Sequence, residues 1–596
     1  MWLKVKQVFG KAFRLILWDW STILIFELLY KILFLFIAPI FEVLLEKALT
    51  TAGLSYLTVQ NLSLLFLNPQ SIIYLLILAI LFFLYIYIEI TALILYCQHG
   101  VKGRKMGSIK LMIGAIIQAA KILNLKNVLL IPFVAIVIPL TGFSLSAGPL
   151  IVIKIPGFIL DYIRDTPFLH LAYKASILLM LTLFFRWIFS LHEMTWKNES
   201  FREACRKSSS MLKGRWLITF FYFIVWSVSL WLIAAVVYYV GILLILVMVK
   251  MFYLGVEAQA QFWFYFSIVD NLGRVAFGVL CAVGNIALIT VLYNPSYEDK
   301  FVIKARPTWR KRVPQLIKAI FIGTLFLFYV ELSPNFKSEI LSGSRSQIDI
   351  VAHRAGALFA PENTIVALKE SVDSGADYAE VDVQQTKDGG LILLHDTNFR
   401  RTTGVNKNVW DVTLKQSRKY DTGGSGRFVG EKIPTLEQAV SYSKDKINLM
   451  IELKSSGHER DLVARTLKII EKYDFKDQCI IASMNREILK QVKKQNPDIE
   501  TALISAIAYG DFKSLKSADN YSIETTFISK AMIAKLESLG KPVYVWTVNE
   551  EEEMRKVVEK PIKGVITDNP YLAQYVLENE HPYLLLNEIV YRTLVE

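Results

Sequence analysis

Seven runs of about 20 or more mostly apolar residues fill the first 333 positions of this 596-residue chain, a pattern that suits a lipid bilayer better than water. They lie near 22–45, 72–96, 127–151, 172–191, 216–249, 272–293 and 315–333. Backbone inside hydrocarbon must satisfy its own hydrogen bonds, so residues 1–333 are expected to form an all-α, multi-pass membrane domain of about seven helices. The fifth run is long enough to tilt strongly or to contain a break. The stretch 251–269 (MFYLGVEAQAQFWFYFSIV) reads as an interfacial or re-entrant helix. Met1 to Trp20 is mixed and basic, and no small-residue cleavage pattern follows the first apolar run, so a cleavable signal peptide is not expected.

The formal charge of +13 is unevenly placed. Residues 1–333 hold 31 Lys and Arg against 15 Asp and Glu, whereas residues 334–596 hold 35 against 38. Because the excess sits between apolar runs, the expected partner is the lipid bilayer and not nucleic acid. Basic residues crowd four connecting segments. These are Lys4, Lys6, Lys11 and Arg14; Lys102, Arg104 and Lys105; Arg202, Arg206, Lys207, Lys213 and Arg215; and Lys304, Arg306, Arg310, Lys311 and Arg312. Residues 50–70 carry no charge at all. The positive-inside rule then puts the N-terminus in the cytoplasm, and seven crossings put everything after Leu332 outside. Inside the runs, Glu27 and Lys31 are spaced to pair at i,i+4, Arg186 can snorkel, and Glu89 is a further ionisable group; a functional role for them stays open. Cys97, Cys205, Cys281 and Cys479 do not make a disulfide framework, since the C-terminal part holds only Cys479.

Residues 334–347 (PNFKSEILSGSRSQ) read as a polar linker. From 348 to 596 short β-rich runs alternate with helical patterns, which argues for a parallel sheet with crossover helices, and at this length for an α/β TIM (β/α)8 barrel. The strand candidates are 348–353, 378–384, 391–395, 448–453, 479–483, 501–505, 521–524, 543–548 and 564–567, one more than a barrel needs. The pair 378–384 and 391–395, joined through Lys387-Asp388-Gly389-Gly390, reads as a hairpin that accounts for the excess.

Polar groups gather at these strand ends. His353-Arg354 closes the first run and His395-Asp396 the third. Glu380 and Asp382 are two apart on a strand, so both point to one side while Val381 packs on the other. Glu452 and Lys454 repeat that spacing. Asn363 alone reads as an ordinary helix N-cap. Two inward carboxylates repel unless they are protonated or bridged by a cation; taken alone, the same spacing equally suits a surface strand with both acids solvated. The all-oxygen set Glu380, Asp382 and Glu452 favours Mg²⁺, Ca²⁺ or Mn²⁺ over zinc. His353 and His395 suit acid–base work near neutral pH, and Arg354 and Lys454 suit the oxygens of a phosphate.

The ordered set His353-Arg354, Pro361-Glu362-Asn363-Thr364, Gly375-Ala376-Asp377, Glu380-Val381-Asp382-Val383, Thr386-Lys387-Asp388-Gly389 and His395-Asp396 resembles the glycerophosphodiester phosphodiesterases. Glu452-Leu453-Lys454, Trp546-Thr547-Val548-Asn549 and Ile566-Thr567-Asp568 fit the same family, so the likeness runs over roughly 347–575. The first half is similar to the membrane domain that precedes this catalytic domain in some Gram-positive bacterial proteins. The resemblance implies a TIM barrel with His353 and His395 as catalytic acid and base and Glu380, Asp382 and Glu452 as ligands of a divalent cation. It further implies that Arg354 and Lys454 hold the phosphate, that Trp546 packs against the glycerol carbons, and that an insertion at 397–434 shapes the entrance. One departure is Ala355, which intervenes between His353-Arg354 and Gly356 where the family usually shows His-Arg-Gly.

The expected reaction is metal-dependent hydrolysis of a glycerophosphodiester to glycerol 3-phosphate and an alcohol at the outer face of the membrane. The substrate would be soluble or a membrane-associated glycerol phosphate, lipid-linked or polymeric. Two alternatives remain from sequence: a phospholipase of the same barrel class that cuts phosphatidylinositol or a lysophospholipid, and a transporter or scaffold whose barrel only binds phosphate. A binding module needs no acid–base pair, which disfavours the second.

Overall fold

The computed structural model describes residues 2–54, 56–57, 62–120, 125–134, 160, 163–164, 166–294, 318, 321–325, 348–424, 426–505, 509–510, 516–528, 530–578 and 593. Among these, five helices are long and apolar enough to cross a membrane: Trp20–Thr51, Pro69–Val101, Pro167–Lys197, Trp216–Phe252 and Glu257–Tyr293. The expected crossings at 127–151 and 315–333, and the linker 334–347, fall largely or wholly outside the described residues. The fifth expected run is one unbroken helix, Trp216–Phe252, of 37 residues. At 1.5 Å per residue it is about 55 Å long, more than the ~30 Å hydrocarbon layer, so it tilts or projects beyond it. Leu217, Trp231, Val236 and Leu244 lie exposed along it, as lipid-facing side chains do.

The expectation for 251–269 needs correction. From Gly255 onward that stretch is the first half of a single helix, Gly255–Tyr293, which follows a turn at Tyr253 and Leu254. No proline interrupts it, and its mid-helix charges neutralise each other across one turn, Arg274 Nη1 lying 2.8 Å from Asp270. Glu27, Lys31 and Glu89 are all buried within the bundle and do not face lipid. Arg186 sits at the turn that divides the Pro167–Lys197 segment into Pro167–Arg186 and Ser190–Lys197, and it donates from Nε to Ser209 Oγ at 3.2 Å.

The C-terminal region is a closed barrel. Its strands are β1 Asp349–Ala352, β2 Tyr378–Gln385, β3 Asn448–Leu453, β4 Cys479–Ser483, β5 Glu500–Ser505, β6 Asn520–Glu524, β7 Val543–Trp546 and β8 Gly564–Thr567. Each pairs in parallel with its neighbours, and β1 closes the circle against both β8 and β2. The ninth run is the antiparallel return strand Leu391–Leu393, which pairs Val383 with Leu393 and Gln385 with Leu391. The hairpin turn needs Gly389, whose φ of +85° lies where a side chain is strained.

Alternation along the strands decides what fills the barrel. Val381 and Ile451 point outward into the layer between strands and helices. Val351, Met450, Ile480, Ala502, Tyr544 and Trp546 form a separate apolar cluster inside. The insertion 397–434 has its own small core, in which Phe399, Val409, Val412 and Ile433 pack on Ile392 and Leu394. A two-residue strand in the segment between the first two membrane helices, Tyr56–Leu57, pairs antiparallel with Tyr509–Gly510 of the barrel.

Candidate active site

All eight strands run the same way, so their C-terminal ends share one rim, where barrel sites form. The β2–β3 register sets Asp382 directly beside Glu452. Glu380, Asp382 and Glu452 are all buried, and a ligand oxygen from each lies within 4.8 Å of the others. Lys454 bridges two of them, its Nζ 2.9 Å from Asp382 and 2.8 Å from Glu452.

Three buried acids cannot all stay charged beside one ammonium. Burial pushes the pKa of Glu380 up, and the neighbouring Asp382 pushes it further. Burial also opposes charge on Asp382, but Lys454, His395, Arg354 and the Asn363 amide outweigh it and hold that carboxyl well below its usual range. An all-oxygen donor set that lacks enough positive charge fits a divalent cation, and the residues expected to hold one are brought together.

The two histidines reach this cluster by different routes. His353 follows β1 directly. His395 follows the antiparallel arm of the hairpin that the sequence suggested, not a strand of the parallel barrel. The return strand Leu391–Leu393 carries the chain back, Leu394 N–H donates to Asp382 O, and the following residue arrives at the level of the acids. Gln384 Nε2 steadies that turn by donating to the carbonyls of Leu394 and Asp396 at 2.8 and 2.6 Å.

Each imidazole is backed by a carboxylate. His353 Nδ1 lies 2.7 Å from Asp568, and His395 Nδ1 lies 2.8 Å from Asp396. A proton on Nδ1 shared with a carboxylate leaves Nε2 as the reactive nitrogen. Burial alone would lower the pKa of His353, but the charge and hydrogen bond of Asp568 reverse this and raise it above the ordinary imidazole value. Asp568 is in turn fixed by Asn549, whose Oδ1 accepts from the Asp568 N–H at 2.8 Å.

Arg354 turns into the site through a left-handed residue, φ +50°, which lets its backbone N–H donate to Glu380 at 2.8 Å. Ala355 also has positive φ, +63°. That is the physical reason glycine suits this position, and alanine keeps the turn at a cost of about 1 kcal/mol. The guanidinium reaches Glu362 at 3.2 Å, while Arg354 Nε is buried with no hydrogen-bond partner among the described residues. Glu362 also takes Arg401 from the insertion in a two-pronged contact of 2.8 and 2.6 Å, and Arg401 Nε lies 2.7 Å from Asp396. The insertion is thereby bolted to both histidine loops. Trp410 adds a second tie by stacking on His458, ring centroids 4.2 Å apart.

Sequence reasoning misassigned Asn363 and left several residues without roles. Thr364 caps the helix, whereas Asn363 donates to Asp382 Oδ2 at 2.7 Å and accepts from its N–H at 2.9 Å. Glu362, Asp396, Asn549 and Asp568 stood inside the quoted motifs without an assignment. For Asp396 adjacency to His395 was a usable signal; for Asp568, 215 residues from His353, no local pattern exists.

Comparison with known proteins agrees with both halves of the chain. Residues 9–330 match the family described as the membrane domain of glycerophosphoryl diester phosphodiesterase, and residues 353–572 match the glycerophosphoryl diester phosphodiesterase family. A glycerophosphodiester phosphodiesterase of Caldanaerobacter subterraneus is 34% identical over 232 residues, covering 37% of this chain and 94% of its own length. One from Bacillus subtilis is 31% identical over 286 residues, covering 44% of this chain and 97% of that one. A phosphodiesterase from Oleispira antarctica, solved with the product sn-glycerol-3-phosphate, aligns at 23% identity over 39% of this chain and 96% of its own, TM-score 0.38.

Proposed function

Since the chain belongs to the glycerophosphodiester phosphodiesterase family, we propose that its barrel hydrolyses glycerophosphodiesters to glycerol 3-phosphate and an alcohol in a metal-dependent reaction at the outer face of the membrane. The observation that carries this reading is the pair of carboxylate-backed histidines, His353 and His395, set around three buried acids and two cations. Arg354, through its unpartnered Nε, and Lys454 take the non-bridging phosphate oxygens. Trp546 supports the apolar edge of the glycerol from inside the barrel. His353, whose pKa Asp568 raises, gives its proton to the leaving alkoxide, and His395 takes the proton of the attacking water. Glu380, Asp382 and Glu452 would hold a divalent cation, whose chemistry is to polarise the phosphoryl group.

Release of glycerol 3-phosphate from glycerophosphocholine by the purified full chain tests the reading. Stoichiometric release of glycerol 3-phosphate and choline is expected. Binding without turnover would instead favour a phosphate-binding barrel, and turnover of phosphatidylinositol alone a phospholipase.

Outer-face placement is supported by charge and by contact. The barrel pairs with Tyr56–Leu57, at the end of helix Pro69–Val101 remote from Lys102, Arg104 and Lys105. The four native cysteines are buried, so introduced ones report cleanly. An impermeant thiol reagent applied to intact cells should label a cysteine at Ser342 and spare one at Lys102. The reverse pattern would place the barrel in the cytoplasm.

A further inference from the structure

Three features of the catalytic rim point at the membrane. Tyr509–Gly510 lies in the connection that leaves the C-terminal end of β5, hence on the rim that carries His353, Lys454 and Asp568. Its antiparallel partner, Tyr56–Leu57, joins two helices of 32 and 33 residues that are each long enough to cross a bilayer, which puts that segment at the membrane surface. The pairing therefore tethers one side of the mouth to the membrane domain.

Across the barrel from β5, the connections after β1 and β8 and the 397–434 insertion expose apolar groups. Leu358 is 59% exposed, Val429 65% and Tyr571 40%, and apart from Tyr575, one turn beyond Tyr571, they are the exposed large hydrophobics among the described barrel residues. They are braced against one another: Phe359 meets Tyr571 edge-on at 5.0 Å, and Arg427 donates to Phe359 O at 3.0 Å while lying over the Phe428 ring. Apolar groups concentrated on one rim, next to the Asp568 that backs His353, suit the headgroup–acyl boundary better than water. The same insertion holds eight Lys and Arg against three Asp and Glu, inside a domain that is otherwise acidic. That excess favours an anionic surface.

Given the hydrolase reading above, we infer that the barrel sits mouth-down on the bilayer its own membrane domain crosses, and that its substrate is a glycerophosphodiester whose leaving alcohol is anchored in that bilayer. The strand pair holds one edge of the mouth, and Leu358, Val429 and the basic insertion seat the other. A phosphodiester at headgroup depth then reaches His353 and His395 without leaving the membrane. A freely soluble diester requires neither contact.

The test uses the full chain in phosphatidylglycerol–phosphatidylcholine vesicles with two substrates. One is soluble glycerophosphocholine; the other is glycerol phosphate esterified to a diacylglycerol glycolipid, which releases the same glycerol 3-phosphate. Leu57→Pro puts a residue without a backbone N–H into the two-residue pairing of Tyr56–Leu57 with Tyr509–Gly510, and Val429→Asp puts charge on the seated rim. Each should lower hydrolysis of the lipid-anchored substrate about tenfold or more, with the soluble rate within about twofold of wild type. The double variant Leu57→Cys, Tyr509→Cys guards against misfolding of the proline variant, because the register opposes these two residues. Antiparallel partners stand about 4.5–5.5 Å apart at Cα, close enough for a disulfide. It should form and leave lipid-anchored turnover intact. Failure to crosslink, loss of lipid-anchored turnover on crosslinking, or undiminished lipid-anchored turnover in a folded Leu57→Pro protein overturns the seated orientation. Absence of glycerol 3-phosphate from both substrates in the wild type overturns the hydrolase reading instead.

Discussion

Alanine at His353 or at His395 should lower kcat by on the order of 10²–10⁴, because on the proposed roles each removal deletes one proton transfer in the transition state. The two losses combine less than additively, since a hydrolysis that has lost its base gains little from its acid. Each imidazole is partly exposed and held by its backing carboxylate, so the variants should unfold close to the wild-type temperature. A wild-type rate in either variant sinks the acid–base assignment. Asp568→Asn refines the test. Asp568 raises the pKa of His353, so its removal lets burial dominate and the pKa falls. The limb of the kcat/KM–pH profile that belongs to His353 then moves to lower pH. If His353 acts as the acid, activity is lost first on the alkaline side. An unmoved profile would mean that Asp568 only orients the ring.

Chelation should abolish turnover, and Mg²⁺, Ca²⁺ or Mn²⁺ should restore it. Glu380→Gln keeps the shape of the site but removes one ligand charge, and should cost a factor on the order of 10² or more in kcat. The acids also set the pH dependence of metal binding. Burial and Asp382 raise the pKa of Glu380, so in the metal-free protein a proton competes for that carboxylate. Apparent metal affinity should therefore weaken as pH falls, and calorimetry in buffers of different ionisation heat should detect proton release on binding. Metal analysis gives the decisive control: full activity in excess chelator, with no metal in the purified protein, would leave the three acids without this role.

The partnership of Arg401 with Glu362 and Asp396 shows what kind of residue a linear reading misses. Nothing in the local sequence of the 397–434 insertion sets Arg401 apart from its other basic residues. It becomes a brace because Glu362, after β1, and Asp396, after the hairpin, converge on it when β1 and β2 pair. Asn363 was misjudged for the same reason. A cap is a local event and Thr364 supplies it, whereas the contact to Asp382 exists only after barrel closure.

Local periodicity alone determined much of this protein. Runs of about 20 apolar residues require membrane helices. The alternation of strand and helix patterns over 348–578 requires a parallel barrel, and Gly389 in the turn marks the hairpin strand. The i,i+2 spacing of Glu380 and Asp382 placed both acids on one face, because successive strand residues point to opposite faces, and barrel closure made that face the inside. These are properties of neighbouring residues, and they hold wherever the rest of the chain goes. Partner choice belongs to the tertiary structure. The closed sheet set the β2–β3 register that puts Glu452 beside Asp382, and it brought Asp568 to His353 across 215 residues. The continuity of Gly255–Tyr293 was settled by packing against Trp216–Phe252, which buries residues such as Phe262 and Phe266 that read as interfacial in isolation. Contacts of this kind arise from register and closure, which no single segment encodes.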